Sequence, residues 1–232
     1  RNGSVYSVNN GKNSYSGRAH MDGMVFRGYV PQNGVTGGWG GEEFNFSWSM
    51  EGSGTDFAIA SMAKYLRDKA TPGSEAWQKY NDEYLYFTAR ATNYVHLFNE
   101  SMGGWFRAKK SDGTWLQTDE QFDPTAQGYG YCEDNAYNYA FPPYDGQGLA
   151  NLYGMARDKD GRTALGDKLD EAYSAVGTAN PGSWTGHKEN WEGRDAKQGQ
   201  IHMTNQPAHH IPYMYLYTDR PWKTAEFVRD TL

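Results

Sequence analysis

"SEAWQKYNDEYLYFTARATNYVHLF", residues 74–98, sets Tyr80, Tyr84, Phe87, Ala91, Tyr94, Val95 and Phe98 along one line, mostly three or four positions apart. That spacing puts apolar groups on a single side of an α-helix, because a turn closes every 3.6 residues. Ser74 stands where a hydroxyl can cap the first turn. The stretch before it, "SMEGSGTDFAIASMAKYLRDKA" at 49–70, repeats the pattern. There Phe57, Ile59, Ala60, Met62, Ala63 and Leu66 are apolar, while Lys64, Arg67 and Asp68 fall on the other side. Two long helices in succession predict a helical architecture, and the rest of the chain extends it.

A shorter helix is expected in "RAHMDGMVFRGYVP", stopped by Gly28 and Pro31. Residues 32–45 form a glycine-rich loop, and 100–132 a long loop in which "SDGTW" makes a tight turn between short extended pieces. Helical signals return at 133–140, 146–157, 162–175, 208–218 and 222–231. Pro142 and Pro143 close the first of these, and Pro221 suits a first helical turn. No strong alternating run appears. Helices in pairs, with long loops on alternate connections, predict an all-α fold that is part of an α/α toroid. Residues 1–16 read as a polar loop or weak strand, and 17–232 as part of the toroid.

Composition narrows the partners. The net charge is -6 at pH 7, from 22 basic and 28 acidic residues, which gives no electrostatic reason to bind a nucleic-acid backbone. No apolar stretch approaches the roughly 20 residues needed to span a bilayer. One cysteine, Cys132, excludes an internal disulfide. No signature for a base accompanies that cysteine, so it reads as a bystander. Aromatic residues reach 16%, with 18 Tyr and 8 Trp. Rings with polar edges suit sugar binding as well as a tyrosine-rich core. Phosphate-loop, dinucleotide-binding and G-x-S-x-G motifs are all missing.

The densest chemistry lies in "GYGYCEDNAYNYAFPPYDGQGL", residues 128–149. Glu133 stands there among Tyr129, Tyr131, Tyr137 and Tyr139. A carboxyl group among rings loses hydration and holds its proton more tightly, as a general acid must. Helix capping explains the same acid equally simply. Tyr131, Asp134 and Asn135 are candidates to orient a sugar hydroxyl. "GQIHMTNQPAHHIPYMYLY", residues 199–217, holds His202, a further candidate contact, and Asn205 and Gln206, which read either as hard oxygen ligands of the kind calcium accepts or as a capped helix start with Pro207 in its first turn and the histidines bonded in a polar core. The adjacent His209 and His210 point about 100° apart on a helix and do not make a zinc pair. Glu51 and Asp56, placed before a helix, form either a polar pocket wall or a helix entry. Trp184, His187, Trp191 and Glu192 make a candidate sugar-contact loop.

The order of "FDP", "GYGYCEDNAYNYAFPPYDGQGL", "GQIHMTNQPAHHIPYMYLY" and "RPWKTAEFVRDTL" resembles glycoside hydrolase family 92, the calcium-dependent α-mannosidases. That family shows Y-x-E-G-N-x-W-x-Y-x-W, then V-P-H-D-x-x-G-L, then N-[EQ]-P-[SA]-H-H-I and P-W-K-T. "GYVP", "DFAIASMAK", "YFTARATNYVHLF" and "GGWFRAKKSDGTW" have counterparts as well.

The resemblance implies a β-sandwich joined to an (α/α)6 barrel, of which this chain matches the middle of the barrel. It implies an inverting exo-α-mannosidase acting on mannose-containing glycans, secreted or periplasmic. Glu133 is then the general acid, Asn135 the asparagine beside it, and Asn205 and Gln206 the dipeptide at a Ca2+ site. A non-catalytic glycan-binding module on the same scaffold is the alternative. The chain departs from the pattern in three places. Asp134 replaces a glycine, Gln206 stands where many members have glutamate, and Met203-Thr204 replace the His-Glu of 1,2-linkage enzymes. The family's general base lies in a G-N-D-D-x-G-like motif expected beyond Leu232, so the 232 residues alone are expected to be inactive.

Overall fold

The computed structural model describes residues 8–9, 15–16, 21–33, 44–126, 128–132, 134–176, 199–203 and 205–231. They fall into two compact units, Arg1–Pro31 with Asn45–Leu97, and Gln32–Phe44 with Phe98–Leu232. Taken over both units the described residues are mainly helical, as the sequence predicts.

The first unit opens with a two-stranded antiparallel ribbon of β1, Val8–Asn9, and β2, Tyr15–Ser16, in which Val8 faces Ser16. Helix α1, Met21–Arg27, follows and ends at Gly28, whose φ of 78° suits glycine. Helices α2, Asn45–Lys69, and α3, Glu75–Ala91, pack side by side. Ser74 caps α3 as expected, its hydroxyl accepting from the Trp77 N–H at 3.2 Å.

Helix α2 differs from its sequence reading. It starts at Asn45, so the glycine-rich loop ends sooner, and Glu51 and Asp56 lie inside the helix rather than before it. Of the expected apolar line only Ala60 and Ala63 are buried; the buried face continues through Asp56, Ser53, Met50, Ser49 and Phe46, and Phe57 and Met62 are exposed. Small residues allow close helix approach, and the buried hydroxyls find partners. Ser49 Oγ accepts from the Val30 N–H at 2.8 Å, and Ser53 Oγ donates to the Ser49 carbonyl. Asp56, fully buried, accepts from Arg90 Nε of α3 at 2.9 Å.

The second unit holds an antiparallel ribbon of β3, Phe98–Asn99, and β4, Trp105–Phe106. The "SDGTW" turn forms as expected. Asp112 Oδ1 accepts from the Thr114 N–H and hydroxyl, and Lys109 bridges Trp115. Helices α4, Gly146–Arg157, and α5, Gly161–Ser174, pack together, each capped by an aspartate, Asp145 and Asp160. Leu149, Tyr153, Leu165 and Leu169 are buried there, each contributing about 1.5–3 kcal/mol by leaving water. The last helix, α6, spans Lys223–Thr231. Its Phe227 stacks on Tyr173 of α5 with ring centroids 3.8 Å apart.

Two expected helices are replaced by tighter turns. Residues 208–218 form 3-10 turns at Gln206–Ala208 and Ile211–Tyr217. Pro212 has no N–H to bond the Ala208 carbonyl, so one α-helix cannot run through. Within 133–140 the described residues make bends and one 3-10 turn, Asn138–Ala140. There Asn135 Oδ1 accepts from the Tyr137 N–H at 3.0 Å, a side-chain bond that competes with a helical ladder.

Candidate active site

The second unit brings the two dense stretches together. Gly128, Tyr129 and Gly130 all have positive φ, turning the chain sharply before Tyr131. Tyr131 is buried and its hydroxyl donates to the Phe106 carbonyl of β4 at 2.7 Å. Burial pushes its phenol pKa up, so it stays a neutral donor. Tyr131 thereby pins the start of the acid-bearing segment to the ribbon.

Beyond Tyr131 the segment is fastened by amides. Asn135 Nδ2 donates to Gln200 Oε1 at 3.0 Å, and Asn135 Oδ1 also accepts from Asn138 Nδ2. Asn138 Nδ2 donates to the Gln200 carbonyl at 3.0 Å, and its Oδ1 accepts from the His202 N–H at 2.8 Å. His202 Nδ1 meets Asp134 Oδ1 at 2.7 Å, and Asn205 Nδ2 donates to Asp134 Oδ2 at 3.2 Å. Asp134, Asn135, Asn138, Gln200 and His202 are all buried. Buried polar groups satisfied this fully fix one geometry.

Gln200 is held from behind. Its N–H donates to the Ala172 carbonyl at the end of α5 at 2.9 Å. Gly199 before it has φ 59°, and a Cβ there would run into the Ala172 and Tyr173 backbone. Only glycine lets residues 199–200 lie so close to α5.

Under the same segment lies a charged cluster. The Tyr137 hydroxyl donates to Glu171 Oε1 at 3.2 Å, and Arg157 and Lys168 also bond Glu171. Burial raises the Tyr137 pKa, and the Glu171 charge adds to the rise. Burial also lowers Lys168, to about 7, against the opposing pull of Glu171. At Glu171 burial works upward, but the charge of Lys168 and the Arg157 bond outweigh it and hold the carboxyl below its usual range. His210, bonded to the Phe141 carbonyl, is lowered by burial.

Thus Asp134, Asn135, His202 and Asn205 share one bonded network, while Tyr131 bonds the Phe106 carbonyl. Gln206 follows Asn205 in a 3-10 turn and is exposed. Glu51, exposed, and Asp56 belong to the first unit. Glu133 lies outside the described residues, between Cys132 and Asp134, as do Trp184, His187, Trp191 and Glu192. Asn138 and Gln200 were not anticipated. Their signal was their place, three residues after Asn135 and two before His202.

The sequence profile of the glycosyl hydrolase family 92 catalytic domain matches residues 3–232. The chain belongs to glycosyl hydrolase family 92. No curated protein matches it. Membership makes the network part of a glycoside hydrolase catalytic domain, whose chemistry rests on carboxyl groups. Among the described residues of this family 92 chain, no three His, Cys, Asp or Glu side chains group as metal ligands.

Proposed function

We propose that the chain is catalytic-domain sequence of an inverting exo-α-mannosidase with Glu133 as its general acid. The observation that carries this reading is the bonding of the acid-bearing segment to the 199–205 stretch through Asp134, Asn135 and Asn138. A general acid must be held against the leaving oxygen within hydrogen-bond reach, so its segment has to be rigid. Asp134 and Asn135, both buried and bonded, flank that position on its C-terminal side. Glu133 protonates the leaving oxygen as the bond to the mannose carbon opens. Inversion requires a second carboxyl group to activate water from the opposite face. That base is not assigned to a residue of this sequence.

The donor set fits calcium. Asn205 and Gln206 offer hard amide oxygens, and Asp134 places a carboxylate beside Asn205. Asn205 and Gln206 would hold the ion. When bound, calcium supplies a positive charge that holds sugar hydroxyls and favours the distorted ring of the transition state. Met203 and Thr204 replace the His-Glu pair of 1,2-linkage enzymes, which points to a different linkage.

Turnover of an aryl α-mannoside by the full-length protein, with and without a chelator, tests the reading. Calcium-dependent hydrolysis with inversion supports it. Mannoside binding without turnover would instead indicate a glycan-binding module on the same scaffold.

A further inference from the structure

Resting on the calcium reading above, we infer that Asp134 is a positioning residue: it aims the Asn205 amide oxygen at the cation and ties that ligand to the acid next to it in sequence. Asp134 is buried, 4% exposed, and its two oxygens serve two different residues of the 202–205 turn. As a carboxylate it only accepts, so His202 Nδ1 and Asn205 Nδ2 are both donors. An amide's oxygen and nitrogen diverge from one carbon in a fixed plane. Holding Nδ2 on Asp134 therefore fixes the direction of Oδ1, which points away from the carboxylate.

The turn has little freedom to undo this. The Asn205 N–H donates to the His202 carbonyl at 3.0 Å, and the His202 N–H donates to Asn138 Oδ1. The first end of the turn is thus fastened to the segment that carries Asp134, and the second end is fastened to the first. Groups that orient a metal's ligands are worth about 10- to 100-fold in metal affinity or activity. Glycine at position 134 would leave Asn205 without this guide.

The test is calcium binding measured by titration calorimetry on chelator-treated full-length protein. Wild type, Asp134→Asn, Asp134→Gly, Asn205→Ala and the Asp134→Asn/Asn205→Ala double variant are compared. Kinetics on an aryl α-mannoside and melting curves in saturating calcium accompany them. The inference predicts a calcium Kd about 10- to 100-fold weaker in Asp134→Asn, with kcat recovering in excess calcium. It also predicts that the double variant is no weaker than Asn205→Ala alone, because Asp134 acts through Asn205. If Asp134→Asn fails to fold, Asp134→Gly carries the same expectation. An unchanged Kd, or losses that multiply in the double variant, overturns the inference. So does a wild type that hydrolyses mannosides but binds no calcium, which leaves the hydrolase reading intact. A wild type that binds calcium through Asp134 and Asn205 but hydrolyses nothing sustains the inference and overturns the mannosidase reading.

Discussion

Lys168 stands on the face of Trp105, its Nζ 2.9 Å from the ring centroid, with no side-chain exposure to solvent. The rings of Tyr137 and Tyr153 flank it, and Glu171 at 3.3 Å is its carboxylate. Arg157 shares that carboxylate. A buried ammonium is retained here because the ring face and Glu171 replace part of its lost hydration. The cluster supports Tyr137, and through it the acid-bearing segment.

The burial of Lys168 makes stability depend on pH. The folded pKa of Lys168 is near 7, against 10.5 for the ordinary lysine of an unfolded chain. Below pH 7 both states carry the proton, and the cost of burying it is fully felt. Between pH 7 and pH 10.5 the folded state releases the proton while the unfolded state keeps it, so stability rises with pH. One proton limits the slope to about 1.4 kcal/mol per pH unit. Denaturant melts from pH 6 to pH 9 should show wild type gaining stability relative to Lys168→Met. Parallel curves would contradict the assignment.

Asp56 offers a second prediction, one that separates structure from substrate contact. Its carboxylate is fully buried against Arg90, which is itself almost covered. Removing one partner of such a pair leaves a buried charge and costs about 3–5 kcal/mol. Asp56→Ala should therefore lower the denaturation midpoint strongly. In whatever protein remains folded, KM for mannoside should be little changed. A normal melt with a raised KM would place Asp56 on the substrate instead.

Asn138 gives a third. Its side chain bonds Asn135, the Gln200 carbonyl and the His202 N–H. Asn138→Ala strips these buried groups of their partner, and each unsatisfied group costs about 1–3 kcal/mol. Loss of stability should come with a fall in kcat/KM, because the acid-bearing segment is released from the 199–202 stretch. Denaturation and steady-state kinetics on the same preparation check both effects.

Helix α3 was legible as far as Ala91, because Tyr80, Tyr84, Phe87 and Ala91 repeat at the helical period and Ser74 caps it; the expected continuation to Phe98 instead tightens into a 3-10 turn at Thr92–Leu97 and enters β3. The first half of α2 was not legible. Glu51 and Asp56 read as lying before a helix, yet they fall inside it, where the small residues Gly52 and Ser53 are buried. At Asn135 and Pro212 local chemistry overrode helical patterning, through a competing side-chain bond in one case and a missing donor in the other. The site residues were legible as types: amides and carboxyls in two dense stretches. Which of them touch was not, because the bonds from Asn138 and Gln200 span more than sixty residues of sequence.

Whether Glu133 protonates the leaving oxygen is read by comparing wild type and Glu133→Gln in the full-length protein on two aryl α-mannosides, one with a poor and one with a good leaving group. Loss of a general acid should slow the poor leaving group by about a hundredfold to ten-thousandfold, and the good one far less, since it departs without a proton. Equal losses on both substrates, or wild-type turnover in the variant, would contradict the assignment.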